Sequence, residues 1–353
     1  MPAKEFIAFT RLDASDVNAY LANKSISNAI INGAFEINQR NYSSSTAGGF
    51  GFDRWQISQV GGTVTGSSQL FTPGAAPLAG LEARNFQRIV VSGQSASGHL
   101  AALIQRIEGV RTFAGQTVTV SFYAKAGSGT PKIGIELDQS FGTGGSPSSP
   151  VEVPLKAVTI STSWTRYTAT ITLPSISGKT VGTDINDNLV LILWVSAGTD
   201  FNTRSSTTGI QNNTFDIWGV QLEPGTVAND FRRNANSIQG ELAACQRYYY
   251  QSSPGTGYAY LAIGQGNGAT TANFMITFPV PMRTAPTSIG FSNLGVTDGI
   301  AVQTAITALA LSQATTTTAQ ILSGGSSGLT AFRPYYVSQQ NNVAGFIAFG
   351  AEL

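Results

Sequence analysis

The sequence predicts an all-β protein whose antiparallel sheets pack as a sandwich. Stretches of alternating apolar and polar residues recur from about residue 28 onwards, and loops rich in glycine, serine and proline separate them. Charged residues make up only 11% of the chain, whereas hydrophobic residues make up 42%. Because this hydrophobic content is enough to build a core, the low charge does not indicate disorder.

Charge and metal-binding residues exclude several functional classes. The formal net charge is +1 and the Lys and Arg residues are scattered, so we expect neither a nucleic-acid partner nor a membrane surface. The single cysteine, Cys245, rules out an internal disulfide and thiolate zinc sites. The single histidine, His99, rules out histidine metal clusters. We therefore expect no metal and no cofactor.

The first residues and the apolar runs of the chain indicate in which cellular compartment the protein folds. The first residues lack the apolar core and small-residue cleavage site of a secretion signal. The longest apolar run, residues 189–195, is far shorter than the roughly 20 residues of a spanning helix. We expect a protein that folds in a cytoplasm, outside the usual export route and outside the bilayer.

Residues 1–27 differ from the rest of the chain and predict a docking segment with a short helix. Residues 13–16 offer cap side chains and first-turn carboxylates, and apolar residues follow at positions i, i+3 and i+4. Two helical turns do not persist alone in water, so this face needs the body of the chain or a partner. The predicted docking residues are Phe6, Phe9, Val17, Tyr20 and Leu21.

Residues 28–235 predict the main sandwich. In residues 117–125 apolar side chains alternate with Thr, Ser and Lys, which gives the strand one dry face and one wet face. Residues 189–195 and 215–222 alternate less and are predicted to be central strands buried on both faces. The Gly- and Ser-rich loop 199–213 is long enough to bind a ligand or to contact a neighbouring subunit.

The pattern changes near residue 236. Residues 236–252 predict a connecting helix with Ile238, Leu242 and Cys245 as its apolar stripe. Residues 253–353 contain short, Gly-punctuated apolar stretches and predict a smaller C-terminal β domain. No repeat of fixed period is visible, which argues against propellers and solenoids. The strands predicted here are 258–263, 272–278, 287–291, 301–311 and 343–349, with loop tips at 315–318 and 323–328.

Two arrangements could carry hydrolytic chemistry. A Ser-His-Asp site would need His99, but no nucleophile elbow accompanies it, so we predict a loop histidine bonded to the backbone. Glu136 and Asp138 alternate onto one face of a predicted strand, and glycan hydrolysis needs only two carboxylates about 5–10 Å apart. With 19 acidic residues such pairs arise by chance. We predict no catalytic residues and no enzyme activity.

Three weaker motifs suggest binding. Residues 184–188 concentrate oxygen ligands suited to calcium but lack features of an EF-hand loop, so a self-bonded turn and a calcium site both remain open. The Gly-rich residues 264–268 lack the Lys-Ser/Thr of a phosphate loop and predict a turn. Tyrosines flanked by Asn, Gln and Ser suit sugars or subunit contacts, with ordinary core packing as the alternative. The candidate glycan or subunit contacts are Tyr258, Tyr260, Tyr335 and Tyr336.

An ordered series of segments resembles a jelly-roll module of bacteriophage and prophage tail-fibre and other virion structural proteins, a module similar to carbohydrate-binding sandwiches. Residues 9–21 resemble a segment at the head of many phage virion proteins. The segments that carry the jelly-roll resemblance are 28–40 followed by Asp53-Arg54-Trp55, then 120–126, 164–167 and 217–225, the closing helix 242–249, and 278–286 with 350–353 for the following domain.

The resemblance implies an antiparallel jelly-roll sandwich followed by a smaller β domain, in a non-enzymatic virion protein. The first interpretation is a homotrimeric tail-fibre, spike or adhesin subunit that attaches to other virion proteins through residues 1–27 and binds host surface polysaccharide. The second is a capsid decoration or head-fibre protein. The third, a glycan-degrading tailspike, conflicts with the absence of repeats. Neutral polar surfaces suit such close assembly, because burying charge is costly.

Overall fold

The computed structural model describes residues 28–46 and 48–353, so the predicted docking segment, residues 1–27, lies outside the described residues. The described part contains strands β1–β22, one α-helix and one 3₁₀ turn, Thr199–Phe201. Every strand pair in it is antiparallel, which confirms the all-β prediction. No helix in this part combines the length and the apolar composition that a membrane crossing requires.

Two six-stranded sheets form the sandwich. The first sheet has the strand order β1-β4-β5-β12-β7-β10 and the second the order β2-β3-β6-β11-β8-β9. The strands are β1 (Ser44–Ser45), β2 (Gly49–Phe50), β3 (Gln56–Val60), β4 (Thr63–Leu70), β5 (Asn85–Ser92), β6 (Leu100–Glu108), β7 (Thr117–Ala126), β8 (Lys132–Ser140), β9 (Val151–Thr159), β10 (Thr165–Thr172), β11 (Asn188–Ala197) and β12 (Thr214–Pro224).

The strand order is that of a jelly roll. When β5 to β12 are numbered first to eighth along the chain, the first sheet reads first-eighth-third-sixth. The second sheet reads second-seventh-fourth-fifth. This interleaving of two Greek keys confirms the predicted jelly-roll sandwich. Strands β1 to β4 extend the two sheets beyond β5 and β6.

Only one of the two faces of β7 has the burial that the predicted alternation requires. Val118, Val120 and Phe122 are fully buried between the sheets, as predicted. The opposite face of β7 was predicted to be wet, but Thr119 and Ser121 are buried there as well. Thr119 donates a 2.8 Å hydrogen bond to the carbonyl of a residue after β12, Gly225, so the chain itself covers this face. Strand β11 is buried throughout, as predicted.

Residues 28–43 are not strand, although the predicted β region began at residue 28. Asn32, with φ of 59°, holds this segment together. Its amide donates to the carbonyls of Ile37 and Asp53 at 2.8 and 3.0 Å, and its own carbonyl accepts from the Trp55 indole at 2.9 Å. Residues 28–40 and 53–55, which carry part of the jelly-roll resemblance, are therefore held together by side-chain hydrogen bonds and do not form strands.

The connecting helix is shorter than predicted. Helix α1 spans Ile238–Gln246 and is capped by Ser237, whose hydroxyl accepts a 3.1 Å bond from the Gly240 N–H. Ile238 is exposed rather than part of a buried stripe, and Glu241 is buried instead. The Glu241 carboxylate accepts backbone N–H groups of residues 32 and 235, so a polar contact fixes the helix on the sandwich.

The second β domain contains a three-stranded sheet, β13-β22-β16, and a seven-stranded sheet, β18-β17-β21-β14-β15-β20-β19. The sequence predicted one strand over 301–311 where the structure has two, and its predicted loop tips, 315–318 and 323–328, overlap the two ends of β20. It also missed β13, β17 and β21. The strands are β13 (Tyr249–Ser252), β14 (Tyr260–Gly266), β15 (Ala272–Thr277), β16 (Ile289–Ser292), β17 (Leu294–Thr297), β18 (Gln303–Ala305), β19 (Ala308–Ala314), β20 (Thr318–Gly324), β21 (Pro334–Gln339) and β22 (Phe346–Gly350).

Ion pairs connect the second domain to the sandwich. Glu352 accepts a 3.0 Å bond from Arg40 and pairs with Arg54, a guanidinium that is only 2% exposed. Arg247 forms a two-pronged pair with Glu108 at 2.7 and 2.9 Å. These contacts join the end of the connecting helix and the residues after the three-stranded sheet to the sandwich.

Candidate functional site

The outer face of the seven-stranded sheet brings together three of the four candidate tyrosines. Tyr260 on β14 and Tyr336 on β21 stack with ring centroids 4.5 Å apart and planes 10° from parallel. Tyr258 lies just before β14 and is 54% exposed. Tyr335 corrects the prediction, because the alternation along β21 turns it into the core, where it is fully buried. We call this surface the tyrosine face: Tyr258, Tyr260, Ile263, Met275, Phe332 and Tyr336.

A large groove lies on one side of the tyrosine pair. It has a volume of about 450 Å³, which is within the range of about 300–1,000 Å³ typical of ligand pockets. Ile263 and Met275 are 59% and 53% exposed, and three amides accompany them. Its lining is Ile263, Gly264 and Gln265 of β14, Asn273, Phe274 and Met275 of β15, Gln320 of β20, and Phe332 with Pro334.

A small groove of about 210 Å³ lies on the other side of the pair. It is lined by Tyr258 and Tyr260 together with residues of β17, β18 and the turn that joins them. The stacked rings stand on β14 and β21, between β17 and β18 of the small groove and β15 and β20 of the large groove. From β18 to β20 the face crosses five strand spacings, or about 24 Å. The surface is therefore elongated across the strands.

Two aromatic residues of this face have a left-handed backbone. Tyr258 and Phe332 both have φ of 63°, a conformation that costs a bulky residue about 1–2 kcal/mol. Phe332 gains little packing in return, since it is 84% exposed. Its N–H donates to the Gly266 carbonyl at 2.8 Å, which fixes the loop at the end of the large groove. Strained exposed aromatics of this kind are typical of binding sites.

An ion pair holds the Phe332 loop against the small groove. Arg333 donates to Asp298 at 2.5 Å, and the other oxygen of Asp298 accepts the N–H groups of Ile300, Ala301 and Val302 at 2.8–2.9 Å. The backbone hydrogen bonds, above all that from Val302, together with the Arg333 charge lower the pKa of Asp298 to about 2. Asp298 is therefore ionised at neutral pH.

Two glycines allow the close packing of β14. A Cβ on Gly264 would lie 1.8 Å from the Asn273 carbonyl oxygen, and one on Gly266 would lie 2.3 Å from that of Thr330. These residues belong to a strand, whereas the sequence predicted a turn over 264–268. The turn follows at residues 267–270.

The predicted carboxylate pair lies on the outer face of the second sandwich sheet. Glu136 is fully buried and accepts bonds from Trp194 at 2.9 Å and from Arg204 at 2.8 Å. Arg204 also lies 3.7 Å from Asp138 and 3.2 Å from Glu152. Burial raises the pKa of both Glu136 and Asp138, and the Arg204 charge opposes that rise. The Arg204 guanidinium therefore contacts three carboxylates, and we assign this cluster a role in holding the fold together.

His99 is bonded to the backbone. Its Nδ1 accepts the Ser95 N–H at 3.2 Å, as the sequence predicted. The neighbouring Ser97 hydroxyl donates to Asp200 at 3.2 Å, so the acid contacts the serine rather than the histidine. Serine, histidine and aspartate thus lie near one another without the bonding pattern of a catalytic triad.

The 184–188 segment forms a turn whose oxygens bind protein groups. The Thr143 hydroxyl donates to Asp184 at 2.7 Å, and its N–H donates to Asn186 at 2.9 Å. Asp187 accepts the Val110 N–H at 2.8 Å. Within residues 28–46 and 48–353 no three acidic, His or Cys side chains are placed to hold a metal ion.

Comparisons with known proteins give a partial likeness at the level of structure. No family model and no curated protein sequence matches the chain. A family 11 carbohydrate-binding module of a Clostridium thermocellum cellulosomal cellulase matches 54% of this chain and 98% of its own, at 11% identity and a TM-score of 0.30. The CBM22-1 xylan-binding domain of Paenibacillus barcinonensis Xyn10C matches 58% of this chain and 97% of its own, at 11% identity and a TM-score of 0.31. Scores this low carry no conclusion about the ligand of this chain.

Proposed function

We propose that this chain is a non-enzymatic structural subunit of a bacteriophage virion that binds a host surface glycan through its tyrosine face. The observation that carries the proposal is the stacked pair of Tyr260 and Tyr336 between two open grooves. Aromatic rings pack against the apolar faces of sugars, and side-chain amides donate to and accept from their hydroxyl groups. Gln265, Asn273 and Gln320 supply these amides in the large groove.

The virion assignment is supported by the sequence. The ordered segments that resemble phage tail-fibre proteins run through most of the chain, and the surface is poor in charge. We propose a homotrimeric tail-fibre, spike or adhesin subunit that attaches to other virion proteins through residues 1–27. Attachment at one end and binding in the last domain would place the tyrosine face away from the particle.

A second candidate is a capsid decoration or head-fibre protein, and one observation favours it. Ile263 and Met275 leave more than half of their surface exposed in the large groove. Exposed apolar groups of this kind also suit a neighbouring virion subunit. In that case the tyrosine face would be covered in the particle.

The test measures binding of the full chain to a printed array of purified bacterial surface polysaccharides. We expect the parent to bind at least one of them and the double variant Tyr260→Ala/Tyr336→Ala to lose at least tenfold in affinity. Val343→Ala is the matched control, since it removes another exposed apolar side chain of the same domain. Antibody labelling of intact particles distinguishes tail from head. Absence of binding to every polysaccharide would contradict glycan recognition.

A further inference from the structure

The second domain is almost free of charge. Between Tyr248 and Ala351 the sequence contains only three charged residues, Arg283, Asp298 and Arg333. Arg283 donates to the carbonyls of residues 185, 351 and 352 at 2.9–3.0 Å, so it belongs to the contact with the sandwich. Asp298 and Arg333 pair with each other. The tyrosine face therefore presents one neutralised ion pair and otherwise neutral groups.

We infer that the ligand of the tyrosine face is a neutral glycan segment, without carboxylate, sulfate or phosphate groups. This inference rests on the proposed function. The residues that line the two grooves carry no charge. An anionic group in either groove would lose part of its hydration and meet no free cation among residues 28–46 and 48–353, which is costly. Arg333 does not change this, because Asp298 already accepts its guanidinium.

The lining is suited to hydroxyl groups. A sugar hydroxyl both donates and accepts, and so does each amide side chain. Asn273 donates a 2.9 Å bond to Asn267, which fixes its orientation in the groove. Ile263 and Met275 between these amides match the apolar faces of a sugar ring. The small groove repeats this combination on a smaller scale, with Gln303 beside Tyr258 and Tyr260.

The charge pattern also predicts how binding responds to salt. Ligand binding that involves no charged pairs is neither screened by salt nor accelerated by electrostatic steering. We expect the affinity for the polysaccharides that bind to change less than twofold between 50 mM and 500 mM NaCl. Binding of an acidic polysaccharide through a basic group would weaken markedly over the same range.

Two variants at one position provide the decisive test. Gln320 lines the large groove, and Gln320→Lys and Gln320→Glu introduce opposite charges at the same place. For a neutral glycan both variants should weaken binding, to affinities within about threefold of each other. For an anionic glycan the lysine variant should bind more tightly and the glutamate variant more weakly. Gln303 in the small groove gives an equivalent pair if either variant of Gln320 fails to fold.

The same polysaccharide array separates this inference from the proposed function. Binding confined to neutral polysaccharides, lost in Phe332→Ala and insensitive to salt, is the expected result. Binding confined to acidic polysaccharides, with opposite effects of the two Gln320 variants, overturns the neutral ligand but leaves glycan recognition in place. Binding to none overturns both.

Discussion

The indole nitrogen of Trp194 donates a 2.9 Å hydrogen bond to Glu136, a carboxylate with no exposed surface in the middle of β8. Arg204 occupies the second carboxylate oxygen at 2.8 Å and lies 5.5 Å from the Trp194 ring. The loop that carries Arg204 also places Phe201 against the same ring, 5.5 Å between centroids. Glu136 thus anchors the loop that covers this side of the sandwich.

Replacement of Glu136 by Ala should destabilise the protein strongly. The change leaves the buried Trp194 N–H without its acceptor and Arg204 without its buried partner, at a cost of about 3 kcal/mol. Glu152→Ala is the matched control, because Glu152 also contacts Arg204 but is 48% exposed. It should cost less than about 1 kcal/mol. Urea unfolding followed by tryptophan fluorescence measures both. Equal losses would contradict the role assigned to Glu136.

We predict that the protein has no hydrolytic activity. Both oxygens of Glu136 are bound, so it has no free position from which to give a proton to a leaving group. The parent should leave the bound polysaccharides at full length, as measured by size-exclusion chromatography. Shortening by the parent that disappears in the Glu136→Ala/Asp138→Ala variant would show that the carboxylate pair is catalytic.

The Asp298 charge should stabilise the second domain at neutral pH. Its pKa is about 2 in the folded chain against 3.8 ordinarily, so the stabilisation is complete above about pH 4 and is lost as the pH falls through 2. Asp298→Asn keeps an acceptor oxygen and removes only the charge. The variant should unfold at a lower urea concentration at pH 7, and the difference should disappear below pH 2. A difference that persists unchanged at low pH would exclude the charge as its cause.

The protein should be an oligomer, with a trimer as the first expectation. Its sheets carry too few charges for the surface of a typical monomer. Light scattering at micromolar concentration, on protein with residues 1–27 present, measures the mass. A stable monomer over that range would contradict the prediction.

Deletion of residues 1–27 should abolish incorporation into particles and leave the melting temperature nearly unchanged. Among the described residues the sandwich core begins at Ile30, and we expect it to form without this segment. The apolar side chains of the segment would each contribute about 1.5–3 kcal/mol when buried against a partner. Aggregation or a much lower melting temperature would show that the segment belongs to the fold of its own chain.

The sequence predicted long strands well and short ones poorly. Strands β11 and β12 are central strands with long, mostly apolar sequences, a pattern that is visible without a structure. Strand β21 was missed, since it begins at Pro334 and carries polar residues that become buried only through tertiary packing. The face of β7 that was predicted to be exposed to solvent is buried for the same reason. In both strands the burial of polar side chains depends on segments that are distant in the sequence.

The candidate site was predicted in part. Tyr258, Tyr260 and Tyr336 lie on the face that forms the site, whereas Tyr335 could be assigned to the core only once β21 was known. Phe332 was missed because nothing in its sequence surroundings indicates a left-handed, exposed aromatic residue. The near absence of charge from residues 248–351, on which the inferred neutral ligand rests, is visible in the sequence alone.

The pair of Arg54 and Glu352 has a consequence for biosynthesis. A ribosome makes the arginine 298 residues before the glutamate. Until Glu352 has been made, a folded sandwich would hold a nearly inaccessible cation without this carboxylate, a state that costs several kcal/mol. The sandwich should therefore reach its final stability only after the second domain has been translated. The tyrosine face, which belongs to that domain, is complete at the same stage of synthesis.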